Sequence, residues 1–391
     1  MKQVLIYYSF SFSFGGGEHL PLSLVAALQD RCQVTVALDK ASTFEEACRI
    51  CGIGVDMSKI RIVQVAPPGY ESKKHTLYVS LYRSRRLKEL ARHADICIST
   101  GNIMDFGKPA HHFINMLAFG DDDFTAYVMN GFRPVHVGMA AAVKRFLKEK
   151  ILRPLLGMRS KKRIILDKRE HVYPNSRFVE QKMRDFFGPF NSHVFFPPTL
   201  FEPGDVTVER DPFKVVYIGR IVPEKRIEEL IRIVENARKT TGFPVTFHLA
   251  GRVNQTPSYG EKLLKMAEAR EWLKFEGPLY GEEKSRFLLS GTYALHAERI
   301  EAFGISIAEY LISGNIAIVP DEGGACEIVD NPALAYRTDD MAAAILARLL
   351  SDESFRNEQR VRCRERAQAF SREAYLQRQT RLLQEIQAIE D

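Results

Sequence analysis

The chain lacks most of what would mark a secreted or membrane-spanning protein. Its six cysteines, Cys32, Cys48, Cys51, Cys97, Cys326 and Cys363, are scattered through apolar or helix-patterned stretches of 391 residues. Nothing in that spacing suggests a disulfide framework, and it points to a reducing compartment. No run approaches the roughly 18 continuous apolar residues that a membrane-spanning helix requires. The first residues, MKQVLIYYSF, enter a strand-like run directly and lack the composition of a cleavage site. The expectation is a cytoplasmic protein, with any membrane contact peripheral. There is no short-period repeat and no low-complexity tract. No G-x-G-x-x-G follows a strand pattern, which weighs against a nicotinamide oxidoreductase.

What is present describes a globular protein. Hydrophobic residues make up 45% and charged residues 27% of the chain, outside the disordered range. This length exceeds one ordinary core, so two domains are expected. A net charge of +6 permits an anionic partner without demanding one. The basic residues of 144–170 interleave with Leu and Ile and one ring, Phe146, not with a series of stacking aromatics, which argues against nucleic acid.

Short β-rich runs alternate with helix-period segments, the pattern of parallel sheets built from βαβ units. VLIYYSF, CQVTVAL, IRIVQVA and ADICIST form a first series of strands. FKVVYIG, VTFHLAG, YALHA and NIAIVP form a second. In PEKRIEELIRIVENARK, Ile227, Leu230, Ile231 and Val234 share one helical face. The proline-rich stretch around 197–212 reads as a linker. The expected architecture is α/β: two Rossmann-like, doubly wound domains, residues 1–200 and 213–370, facing across a cleft. Ligands of such sheets bind beyond the C-terminal strand ends. Residues 371–391, SREAYLQRQTRLLQEIQAIED, read as a helix able to pack on either domain.

Three clusters sit at strand-to-helix crossovers. Gly15, Gly16 and Gly17 precede a helix and would let backbone approach an anion, although a tight turn explains them equally. In GRIVPEKR, Gly219 clears space at a strand end, and Arg220 and Lys225 flank a proline-initiated helix start. Two cations there suit a diphosphate; two ordinary surface charges are the plainer alternative. In HAERIEAFGISIAEYLISG, Glu301 lies in the loop before a helix and Glu309 lies just over one turn into it. Amide groups near Phe303, Gly304 and Ile305 can meet phosphate oxygens. The Glu309 carboxylate can accept paired hydroxyls such as those of a ribose. Downstream, Asp321-Glu322-Gly323-Gly324 forms an open loop and Glu327 begins the next helix. A helix with two solvated acids would not place these residues at crossovers.

E-x-F-G-I-x-x-x-E, followed by GG-x-x-E-I-V, resembles the signature of retaining glycosyltransferase family 4. GRIVPEKR resembles that family's G-R-x-x-x-E-K motif, and YPNSRFVEQKMRDFFG a stretch late in its first domain. The resemblance implies a GT-B fold that holds a nucleotide-sugar mainly in the second domain. It also implies that the C-terminal helix, 371–391, crosses back to the first domain. GGGEHL with H-A-x-x-x-E-x-F-G-I is similar to α-1,2-mannosyltransferases that extend lipid-linked oligosaccharides from GDP-mannose. Carried over residue by residue, Arg220 and Lys225 grip the diphosphate and Glu301 bonds the sugar hydroxyls. Glu309 holds the ribose, the Phe303–Ile305 backbone holds the phosphates, and Gly16 and Gly17 close over the donor. Glu327 lies near the sugar or the phosphates.

These implications give a retaining hexosyltransferase that needs no metal and no cofactor, with a GDP-mannose or UDP-sugar donor as substrate. The acceptor would be a glycan or a lipid-linked glycan. An epimerase or disaccharide synthase of the same fold, or a non-catalytic nucleotide-sugar-binding protein, stays open. A first-domain histidine common in the family has no counterpart in register, since Leu117 and Ala118 stand near its place and His111 and His112 are offset; either the alignment slips there or the group is absent.

Three further features carry less. Asp121-Asp122-Asp123 could hold a divalent ion but reads better as an acidic surface turn. Cys48 and Cys51 have C-x-x-C spacing without a second pair, so neither zinc nor redox chemistry is expected. Residues 144–170 interleave many basic residues with Leu and Ile. They read either as a solvated amphipathic helix or as a peripheral contact with anionic lipid headgroups.

Overall fold

A computed structural model describes every residue except 9–15, 71–76, 118–121, 136–137, 200, 254–256 and 390–391. Gly15, Ala118 and Asp121 therefore lie outside the described residues. The chain divides into one unit of Met1–Pro198 with Gln377–Asp391 and a second of Thr199–Leu376.

In the first unit, β1 (Gln3–Tyr8), β2 (Gln33–Leu38), β3 (Ile60–Gln64), β4 (Ile96–Thr100), β5 (His111–Ile114) and β6 (His171–Pro174) form one sheet. Its order is β3-β2-β1-β4-β5-β6, and all pairings are parallel. β1 and β4 are buried almost throughout, which explains their unbroken apolar runs in place of alternation. Leu5, Ala37, Leu87 and Phe106 pack into one cluster there. Each fully buried Leu or Phe side chain contributes about 1.5–3 kcal/mol.

The second unit repeats the plan. β7 (Lys214–Ile218), β8 (Thr246–Ala250), β9 (Leu273–Gly277), β10 (Tyr293–Leu295), β11 (Ile316–Pro320) and β12 (Ala335–Tyr336) run β12-β11-β10-β7-β8-β9, again parallel. Strand order reverses between β7 and β10, as it does between β1 and β4. The crevice beyond the strand ends at such a reversal is where doubly wound sheets bind ligands.

Several local details differ from the sequence expectation. β5, β6, β9 and β12 were not among the expected strands. Pro223 does not begin the helix; it opens a 3-10 turn over Pro223–Lys225, and Arg226 then turns left-handed at φ 53° before the helix Ile227–Thr241. The break leaves Lys225 in a loop, not on a helical face. Residues 144–170 form no single solvated helix. The helix Met139–Phe146 continues through a π-helical stretch, Leu147–Leu152, to Arg153–Leu155, and a separate helix covers Lys161–Ile165.

The last helix, Arg372–Ile389, begins in the second unit and passes to the first at Gln377. Within the first unit, Arg378 lies over the Phe196 ring at 5.9 Å, and Leu382, Leu383 and Ile386 are buried.

Candidate functional site

The loops leaving β7 and β10 lie side by side because their strands pair. From the first comes Lys225 and from the second come His296, Glu298 and Glu301. Lys225 Nζ donates to Glu301 Oε2 at 2.6 Å and forms a second ion pair with Glu298. His296 Nε2 lies 3.6 Å from the same Glu301 oxygen. All four side chains are largely buried.

Burial alone would raise the Glu301 carboxyl, but the Lys225 ammonium, with His296, holds it at about 2. Burial and the Glu301 charge push Glu298 the other way. Burial brings His296 down to about 4, so its imidazole is neutral at pH 7. Lys225 is driven up by its two carboxylates against the effect of burial, so the ammonium persists. The cluster thus sets one cation between two carboxylates.

Packing fixes the rest of the site. Tyr310, on the helix Ile305–Ile312, accepts from the Ile218 amide at 2.8 Å and locks that helix onto the end of β7. The Tyr217 hydroxyl donates to the Arg220 carbonyl at 3.1 Å, and the Tyr336 hydroxyl to the His296 carbonyl at 2.7 Å. Gly304 precedes the helix with φ 99°; a Cβ there would stand 2.6 Å from Ile307 Cδ1. Gly324 donates its amide to the Glu301 carbonyl at 2.7 Å and touches the same loop so closely that a Cβ would lie 2.3 Å from the Ala302 oxygen. The helix N-terminus therefore presents its positive end beside Glu301.

The expected residues fall into distinct places. Lys225 and Glu301 are in contact, and exposed Arg220 shares the β7 loop with Gly219. Glu309 is buried on the helix Ile305–Ile312 and accepts from Lys284 Nζ at 2.6 Å. The Phe303 ring is in the core, edge-on to Phe370, so only its backbone can face a ligand. Glu327 lies in the first turn of the helix Gly324–Val329, whose end Arg366 caps through the Glu327 and Ile328 carbonyls. Gly16 and Gly17 belong to the first unit, in a 3-10 turn ahead of the helix His19–Leu28.

Sequence reasoning missed Glu298, His296 and Lys284. The first two were legible as ionisable neighbours of Glu301 in HAERIE. Lys284 was not, because 25 residues separate it from Glu309.

The side features also resolve. His111 and His112 are buried in the first sheet, bonded to the Tyr173 hydroxyl and to Glu170 at 3.1 Å each. Asp122 opens the helix Asp122–Met129 in place of the expected surface turn, and Asp123 pairs with Arg145. Cys48 and Cys51 are free thiols, both pushed up to about 11 chiefly by burial. Donor atoms of His296, Glu298 and Glu301 come within 4.8 Å of one another, a set that a divalent ion could use. Lys225 already stands between its two carboxylates.

Residues 202–370 match the family model described as glycosyl transferases group 1. Solved structures are similar over nearly the whole chain. HepE of Anabaena, solved with UDP and glucose, aligns at TM-score 0.67 and 14% identity, covering 99% of this chain and 100% of that one. The fold is GT-B. Sucrose-phosphate synthase of Thermosynechococcus elongatus aligns at 0.65 with 14% identity, covering all of both chains. WaaG, a glycosyltransferase involved in lipopolysaccharide biosynthesis, aligns at 0.62 with 13% identity, covering 94% of this chain and 95% of that one. No curated protein sequence matches the chain.

Proposed function

We propose that this chain is a retaining, metal-independent glycosyltransferase of family 4. In this reading it moves a hexose, mannose from GDP-mannose first among candidates, to a glycan or lipid-linked acceptor. The observation that carries the proposal is the contact of Lys225 with Glu301 where strand order reverses, beside the N-terminus of the helix Ile305–Ile312. That arrangement supplies a cation, helix-end amides and sugar-binding carboxylates together. Loss of a nucleoside diphosphate puts negative charge on the departing oxygen. Lys225, Arg220 and the Phe303–Ile305 amides would stabilise it, and one preorganised donor of this kind contributes roughly 10²-fold or more in rate.

Glu301 would accept from the sugar hydroxyls and Glu309 from the ribose, with Lys284 holding the Glu309 carboxylate in place. Gly16 and Gly17 complete the proposal from the first unit, and Glu327 from the first turn of the helix Gly324–Val329. A lipid-linked acceptor would place the protein at the cytoplasmic face of a membrane. UDP-sugars are the competing donors, since HepE was solved with UDP.

Thermal shift with GDP and UDP, followed by nucleotide release with and without acceptors, tests the reading. GDP should raise the melting temperature more than UDP, and release should depend on acceptor. Release of a free disaccharide would instead favour a synthase. Lys225→Ala should abolish turnover at unchanged secondary structure; near-normal turnover would overturn the mechanism.

A further inference from the structure

The helical stretch from Met139 to Leu155 in the first unit presents its apolar side outward. Met139, Val143, Leu147, Ile151 and Leu155 recur every four residues, with Phe146 beside Leu147, and all are exposed, Met139 by 84%, Phe146 by 58% and Leu155 by 77%. A helix on a water-soluble body normally turns such a stripe inward. Here Arg145 ties the stretch to Asp123 on the helix Asp122–Met129, while Glu149 and Arg153 pair at 2.9 Å within the stretch itself. The far end is tied down where Lys88 donates to the Gly157 carbonyl at 2.5 Å and Arg159 pairs with Asp105 at 2.9 Å. Met158 is buried beside them. The outward stripe is therefore fixed in place by its surroundings.

Charge selects the occupant. Residues 144–163 contain nine lysines and arginines and a single acid, Glu149. Lys150, Lys162 and Arg163 are exposed. A second copy docking through this face would bring two such segments together and repel. An anionic bilayer accepts the stripe below its headgroups and the basic residues at them.

We infer that the Met139–Leu155 helical stretch lies in the interface of an anionic membrane, its apolar stripe among the acyl chains and its lysines at the headgroups. This deepens the acceptor side of the proposed function, yet it stands on geometry in one unit and needs no donor chemistry.

The test is co-sedimentation of the full chain with vesicles of equal parts phosphatidylglycerol and phosphatidylcholine, and with phosphatidylcholine alone. Binding should require the anionic lipid and weaken as salt is raised. Phe146→Glu with Leu155→Glu should weaken it by about tenfold or more, with an unchanged melting temperature because both side chains are exposed. Lys150→Glu with Lys162→Glu should flatten the salt dependence. No binding to anionic vesicles, or binding unaltered by the apolar pair of substitutions, overturns the inference. So does a concentration-dependent dimer, without vesicle binding, that the same substitutions abolish. Lys225→Ala should bind vesicles normally, so a failed transfer reaction and a failed membrane contact are told apart.

Discussion

Glu298 and Glu301 share one ammonium, so replacing either changes what the other does. Lys225 faces two carboxylates, and a diphosphate must compete with both. Glu298→Gln removes one competitor while Glu301 keeps the lysine in place. Nucleoside diphosphate affinity should then rise several-fold, on the order of 1 kcal/mol after solvent screening. Glu301→Gln removes the other competitor and should also favour the diphosphate, but it should weaken retention of the whole nucleotide-sugar. Titration calorimetry with the diphosphate and with the intact donor separates the two; equal effects in both variants would refute the division. At this scale the motif residues were legible because glycine and paired charge are unusual at a crossover. Glu298 was visible as a neighbour of Glu301 in HAERIE, but its role depends on Lys225, which the fold sets beside it.

The elements show where periodicity works and where it fails. Eight strands announced themselves as apolar β-branched runs, and in β1 and β4, buried on both faces, no alternation interrupts the run. β5 did not, since it opens with two histidines whose partners, Tyr173 and Glu170, lie about 60 residues away. β12 is two residues long and exists only through its pairing with β11. The buried pair of Arg83 and Asp39, 2.8 Å apart, was hidden for the same reason. Close packing between elements also gives a sharp prediction. Gly324→Ala puts a methyl group 2.3 Å from the Ala302 oxygen and 2.7 Å from Phe303 Cα, both backbone atoms that cannot rotate away. The loop carrying Glu301 must move. Urea unfolding should show a loss of roughly 1–3 kcal/mol, accompanied by loss of donor binding in the variant that remains folded. Retained affinity would mean that the loop position is unimportant to the site.

At the scale of the whole molecule, both units hold histidines that burial keeps from charging. His111 in the first is lowered to about 3, by burial first and then by His171 and His112. His296 in the second is lowered to about 4, again chiefly by burial. In the unfolded chain each titrates near 6.5. Between that value and the folded one, the unfolded state binds the extra proton, so stability falls as pH falls, by about 1.4 kcal/mol per pH unit for each group. Glu301, held at about 2 by Lys225, adds a loss of the same sign below the usual carboxylate range. Glu298 works the other way, since its raised carboxyl costs stability once ionised. The histidines act at higher pH than Glu301, so they set the onset. The urea midpoint should be flat above about pH 7 and drop steeply between about pH 6.5 and pH 4. His111→Asn, which cannot charge, should shallow that drop while lowering the midpoint at neutral pH through the lost bond to Tyr173. An unchanged pH slope in this variant would show that His111 does not govern the acid limb.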